Sequence, residues 1–484
     1  MLMALLAWGA TAQPLLGATL TVTSHEDSGP GTLREAVEVL SSAGDTIVFS
    51  VSNSITVYSH IAVGHTLTIA GSGQTLGAYA AGSTTVFFVQ SGAPNTLISG
   101  LAIVDGYYGI YVDRADHFTL QDCRLGTDYQ DSPGRGHSYM ALSILQGTGH
   151  RIGLPGQGNV ISGNDNGYGV FLNHVSGATV QNNLVGLAGD GVTALPNGDN
   201  GIHLFGNSSG NLIGGDRTAG EGNVISGNDL YGVGLVGPGV TGNTLCGNII
   251  GLDAFQGTAV GNGTGVRVDE ASGNAIGLPQ SGYENIVSGN GSGYGIRFTD
   301  TARNNLVRNN WIGLSDTDAA FPNQNGVCIN DGRGNVIGGD RMATPLARNI
   351  ISGNSDADVL LTTDAVGNTI CGNIIGLDTA ATAAVSSGGD GMRIYGSGNL
   401  IGGVSDAGQA RGNIVSGHAN GNGIGISLGG GEGNTLAGNT IGLNAAGTPV
   451  PNYYGININS GSGHTCIGGS QPGLRNVISG NTRD

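Results

Sequence analysis

The chain has 484 residues, 93 of them Gly and 13 Pro, so these two types make up about a fifth of it against a usual ~12%. Apolar residues still make up 38%, enough for a core, whereas aromatics are 5% and charged residues 11%, well below the ~25% charge of an ordinary soluble domain. The net charge of −17 argues against nucleic acid, which needs a basic face. All 17 bases are Arg. Without Lys there is no Walker-type phosphate loop, no Schiff base and no lysine general base.

In chain order, the apolar run Leu2 to Gly9 leads into Ala10-Thr11-Ala12, a small-residue cleavage pattern, with a second candidate ending at Ala18. Residues 1–18 therefore read as a signal peptide, and the protein is expected to be secreted or on the cell surface. No later run is apolar for the ~18 residues of a membrane span. Residues 19–50 read as an N-terminal cap. Thr32 and Glu35 form a capping box, and Leu33, Ala36, Val37 and Leu40 make an apolar helical stripe. Such a short amphipathic helix would cover the open core end and the strand edges of the first coil.

Residues 51–484 are governed by a repeat. Asn159-Val-Ile-Ser-Gly-Asn164 returns at Asn223, Asn285, Asn349, Asn413 and Asn476, at steps of 64, 62, 64, 64 and 63 residues. A second phrase, Gly242-Asn-Thr-Leu-Cys-Gly-Asn-Ile-Ile-Gly-Leu-Asp253, interleaves with it. The unit is half that step. Short strands of the form Gly-apolar-x-apolar begin at Ile110, Ala141 or Leu142, Val170, Ile202, Val233, Val266, Ile296, Val327, Val359, Met392, Ile424 and Ile456. Each unit reads as three strands with period-2 alternation bounded by Gly and Asn, and none has a helical pattern. One unit cannot bury its own inner face, so units must stack. The expected fold is all-β, a right-handed parallel β-helix with a short N-terminal capping helix. Two asparagine ladders, one per corner, are expected through Asn159, Asn183, Asn223 and Asn248 onward and through Asn211, Asn243 and Asn274 onward. Cys246 and Cys371 share a slot four coils apart, roughly 19 Å, too far for a disulfide. The chain stops after a repeat phrase, at Asn481-Thr-Arg-Asp484, so the last coil is expected uncapped and open to end-to-end packing with a neighbouring subunit.

Ser28-Gly-Pro-Gly-Thr-Leu-Arg-Glu-Ala36, Gly44-Asp-Thr-Ile-Val-Phe49 and units such as Gly247-Asn-Ile-Ile-Gly-Leu-Asp253 resemble the secreted right-handed parallel β-helix repeat proteins of bacteria, within the pectate-lyase-like superfamily. The resemblance implies the winding and an extracellular setting. It carries over no catalytic residue. The polygalacturonase-like Asn-Thr-Asp, Asp-Asp and Gly-His-Gly motifs are absent. At Trp311-Ile-Gly-Leu314 the residues of the lyase motif Trp-Ile-Asp-His that carry the chemistry are missing.

Binding residues are sought on the outer face of the first strands, where residues two apart point the same way. Tyr111 and Asp113, Phe171 and Asn173, His203 and Phe205, Arg267 and Asp269, Arg297 and Thr299, and Arg393 and Tyr395 are the outward pairs. Aromatic rings stack on sugars and Arg pairs with carboxylates, so the expected partner is a polysaccharide or cell-surface glycan. The largest departure from the repeat, Asp113 to His150, supplies catalytic candidates Asp131, Arg135 and His137 on one loop. No cofactor is expected. Asp128, Asp253 and Asp378 share one slot that could take calcium, but Ala188, Ser315 and Asn444 fill it elsewhere, which leaves the ion unsupported. The leading expectation is a non-catalytic exported β-helix with an adhesive, matrix or glycan-binding role. The alternative is a polysaccharide lyase or glycoside hydrolase with its site on the outer face.

Overall fold

The computed structural model describes residues 17–52, 54–78, 84–340, 344–385, 388–404, 411–426, 432–459 and 463–483. Residues 1–16, most of the expected signal peptide, lie outside them. Every pairing between named strands is parallel, and each coil stacks its strands on those of the coil before. The architecture is a right-handed parallel β-helix. Its first-strand sheet runs from Ile61–Val63 through Phe87–Val89, Tyr108–Asp113 and Met140–Thr148 to Tyr454–Ile458. The registers align Ile110, Leu142, Val170, Ile202, Val233, Val266, Ile296, Val327, Val359, Met392, Ile424 and Ile456. Leu142 rather than Ala141 holds the equivalent place. Alternating side chains from all three strands of a coil meet in one continuous apolar column, as with Val266, Ile276 and Val287.

Corners leave backbone groups that strand pairing cannot use, and the asparagines satisfy them. Asn248 shows the pattern. Its Oδ1 accepts from Asn223 N and Nδ2 at 3.1 and 2.9 Å, while its Nδ2 donates to Asn285 Oδ1 and to the Ile213 and Cys246 carbonyls at 2.9–3.0 Å. Both expected ladders form. A third, not foreseen, runs through Asn164, Asn197, Asn228, Asn262, Asn290, Asn323 and Asn354. The repeated phrase is thereby explained. Its first Asn belongs to one ladder and its last to another. Between them Ser162, Ser226, Ser288, Ser352 and Ser416 each donate to a Leu carbonyl of the next coil.

The N-terminal cap differs from expectation. The helical segment is short, over residues 33–40, with Glu35–Leu40 in the π form, which Ser41 N closes onto Ala36 O. Thr32 Oγ1 accepts from Glu35 N, but the Glu35 carboxylate reaches Gly31 N rather than Thr32 N. Leu33, Ala36 and Val37 are buried in the core, whereas Leu40 is 54% exposed, so the stripe is one residue shorter than its sequence suggests. At the other end Ile458, Ile467 and Ile478 are exposed. All five cysteines are free thiols. No helix among the described residues is long and apolar enough to cross a membrane.

Candidate functional site

In several coils the face of the first-strand sheet carries a third position beside the expected two. In ten of the twelve aligned coils a glycine precedes the inward residue, as in Thr264-Gly265-Val266, with Ala141 and Asp358 in its place before Leu142 and Val359. A Cβ on Gly265 would meet Gly295 O at 2.6 Å and the ladder amide Asn290 Nδ2 at 3.0 Å, so the chain presses flat against the corner there. The alternation is interrupted at that glycine. The residue before it therefore joins the outer face, which adds Tyr108, Tyr168, Tyr231 and Tyr294. Period-2 counting from the inward residues misses them. The recurring Tyr-Gly-apolar triplet at 108, 168, 231, 294 and 454 is the signal that marks them.

Aromatic rings from five adjacent coils collect on one half of this face, four of them bearing rings on the strand itself and the fifth supplying Tyr139 just before its strand. Phe88 lies 5.6 Å from both His60 and Tyr111, and Tyr111 lies 5.2 Å from Tyr108. Tyr139 stacks on Tyr107 at 5.1 Å and meets Tyr108 edge-on at 5.4 Å. Tyr168 stacks on His203 at 4.5 Å and on Phe171 at 5.3 Å, and Phe171 lies 6.4 Å from Phe205. Two clefts open between them. One, of about 320 Å³, is lined by His60, Thr85, Phe88, Tyr108 and Tyr111. The other, of about 350 Å³, lies among Tyr108, Tyr139, Tyr168, Phe171, His203 and Phe205. Burial pushes the Tyr108 and Tyr168 phenols up to about 12, with neighbouring tyrosines adding for Tyr108 and Asp199 for Tyr168. Both stay neutral donors at any physiological pH. His203 is pushed down to about 4 by burial, then by Arg267, and is neutral too. Asn200 Oδ1 accepts from Tyr231 N, so the Asn200 amide N–H donates to His203 Nδ1 at 2.6 Å. That leaves Nε2–H as the donor of the ring.

The other half of the face is charged. Gly234 separates His203 from Arg267 in the register. Arg267 pairs with Asp269 at 2.5 Å and Asp300 at 3.5 Å, bonds the Tyr231 hydroxyl and lies over the Tyr231 ring at 5.1 Å. Burial, then a hydrogen bond with Asp300, raises the Asp269 carboxyl above the ordinary range against the pull of Arg267. Asp300 and Thr301 turn the chain here with φ of 50° and 65°, which is strained for a β-branched residue. Arg297 lies over Tyr294 at 4.6 Å. Arg393 pairs with Asp356 and Asp390 at 3.0 and 2.9 Å, with Tyr395 two residues on in the chain. Asp113 is engaged by Arg114 at 2.7 Å.

The loop candidates are not brought together. Asp131 pairs with Arg124 at 2.5 Å and accepts from Gly189 N. Arg135 pairs with Asp105 at 2.7 Å and Asp128 at 3.5 Å. His137 is fully buried, its Nδ1 accepting from Gly106 N and its Nε2 bonding Ile103 O, and burial pushes it down to about 4. It occupies the third-ladder slot, where its N–H donates to Asn164 Oδ1. The shared aspartate slot is likewise local. Asp128, Asp253 and Asp378 accept from N–H groups of the loops they begin.

No protein-family model and no curated protein matches the chain. Among solved structures it is similar to the A-module of an Azotobacter vinelandii mannuronan C-5 epimerase, at 14% identity over 96% of this chain and 99% of that one, with a TM-score of 0.43. It is also similar to the Dettilon tailspike protein, at 15% identity over 86% and 62% of the two chains, with a TM-score of 0.37. A pectate lyase matches at 15% identity over 76% and 80%, with a TM-score of 0.30. The chain spans less than two thirds of the tailspike. Similarities at this level say nothing of the chemistry of the present face. The fold stands on this chain's own strand pairing.

Proposed function

We propose that this is an exported, cell-surface or matrix β-helix that binds a polysaccharide lengthwise on its first-strand sheet. The observation that carries this reading is the aromatic shelf. Five successive coils, at ~4.8 Å spacing, line up rings over about 19 Å, a length that suits several linked sugars. Aromatic faces stack on sugar rings, and the neutral Tyr and His donors beside them can bond hydroxyls. The signal-like start of the sequence supports export. Tyr168→Ala with Phe171→Ala should weaken glycan binding at least tenfold on an array and by calorimetry, with circular dichroism unchanged. Full binding by this folded variant would refute the shelf as the site.

A second reading, a polysaccharide lyase or hydrolase, is favoured by one observation. The raised Asp269 carboxyl beside Asp300, Arg267 and Tyr231 has the makings of an acid–base group. Incubation with a panel of polysaccharides separates the readings. Unsaturated products or new reducing ends that vanish in Asp269→Asn would establish catalysis, and an inert panel would favour binding alone.

A further inference from the structure

Arg267, Arg297 and Arg393 occupy the same outward position, yet their surroundings differ. Arg267 has two carboxylates and Arg393 has two. Among the described residues Arg297 has no carboxylate within ion-pair reach and no hydrogen-bond acceptor, and its Nε is buried without a partner. The sequence explains this. The residue two places on is Asp269 beside Arg267 but Thr299 beside Arg297, and the first outward position is Asp390 beside Arg393 but Tyr294 beside Arg297. Across the register Arg297 meets Arg267 on one side and Cys328 on the other. Cys328 is buried and its thiol pushed up to about 12, so it supplies no negative charge. A half-buried guanidinium stacked on a ring and lacking a counter-charge is costly in a chain that holds twice as many acids as bases.

We propose that Arg297 is the anion subsite of the glycan face and takes an oxyanion carried by a sugar, either a carboxylate or a sulfate ester. This rests on the glycan-binding reading and deepens it by naming an acidic polymer. The fixed fork of a guanidinium suits two oxygens of one anion, and the Tyr294 ring holds its plane. Three coils separate Arg297 from His203, about 14 Å, so one chain of sugars reaches from the aromatic shelf to the cation. Arg267 lies between, already balanced by Asp269 and Asp300, and does not compete for the anion.

The test is calorimetric titration with three oligosaccharides of equal length: a neutral glucan, a uronic-acid polymer and a sulfated galactan. The wild-type protein should prefer one of the two acidic probes over the neutral one by at least tenfold, and the probe preferred distinguishes carboxylate from sulfate. Arg297→Gln should lose that preference and keep its affinity for the neutral probe, with Arg297→Lys intermediate. Retained neutral binding also shows that the variant is folded. Equal wild-type binding of all three probes, or an unchanged preference in Arg297→Gln, would overturn the anion subsite and leave the glycan face standing. Binding of none would remove the glycan reading and the subsite with it.

Discussion

The coils from Phe87 to Phe205 and those from Asn223 to Asn354 share one fold and solve its corners differently. In the later coils three uninterrupted amide ladders close every corner. In the earlier ones each ladder runs out. Cys123 stands in the first, its N–H donating to Asn159 Oδ1. Ala178 and then His150 stand in the second, and His137 in the third. The aromatic shelf sits on these same irregular coils. Where the corners depart from the amide pattern, aromatic rings crowd the outer face; where they keep it, Arg–carboxylate pairs and Arg–Tyr stacks take over. Broken repetition coincides with the aromatic half of the face, and strict repetition with its charged half.

The largest expected contrast is in acid. His137, His150 and His203 are all held down to about 4 by burial, against an ordinary 6.5. Their folded pKa values lie below the unfolded ones, so the unfolded chain binds more protons between these limits. The stability they confer is present above pH 6.5 and is lost as pH falls toward 4, by about 3 kcal/mol for each histidine. Hydrogen exchange at pH 4.5 should therefore open residues 103–205 while the later coils stay protected. Uniform opening along the rod would contradict the assignment.

Just past Asn354 the third ladder changes its chemistry as well. Asp358 stands where most coils have a glycine, and its carboxylate links Asn354 of the third ladder to His418. It accepts from Asn354 Nδ2 at 2.8 Å and bonds His418 Nε2 at 2.9 Å, both partners fully buried. Asp358→Ala should cost about 3–5 kcal/mol by leaving an unpaired buried imidazole and amide, measured by urea denaturation. Asn248→Ala, in an unbroken ladder, should cost slightly less, about 3–4 kcal/mol, since only neutral groups lose partners. A cost near zero for either would show that water replaces the amide.

The coil register and two of the three ladders were legible because the physical constraint is local and recurs. A corner needs an amide, and the amide is spelled Asn at the same offset each time. The third ladder was hidden because its alternate members, Asn197, Asn262 and Asn323, stand outside the repeated phrase, after the dissimilar pairs Leu195-Pro196, Val260-Gly261 and Phe321-Pro322. Tyr108, Tyr168, Tyr231 and Tyr294 were hidden because the glycine after each breaks the alternation, a backbone effect that residue counting does not carry. Asp131, Arg135 and His137 form no hydrogen bond or ion pair with one another, for another reason. In a chain with few charges, ionisable groups on one loop find partners on neighbouring loops, as Asp131 does with Arg124 and Arg135 with Asp105.

The smallest effect is the sharpest test of the comparison. If the early coils differ only by lacking amides, restoring one should be harmless or helpful. Cys123 Sγ lies 3.8 Å from Ile98 O, a weak contact. In the next coil Asn159 Nδ2 donates to Leu120 O, the residue in register with Ile98. An amide at position 123 would find the equivalent acceptor in Ile98 O, and Asn159 Oδ1, which already takes the Cys123 N–H, would lie within its reach. Cys123→Asn should extend the first ladder by one coil and change stability by no more than about 1 kcal/mol, in the stabilising direction. Glycan binding should be unaltered, because Cys123 is buried at a corner away from the aromatic face. A loss of several kcal/mol would mean that the early coils are shaped around the thiol, and that their irregularity is packing rather than an unfinished ladder.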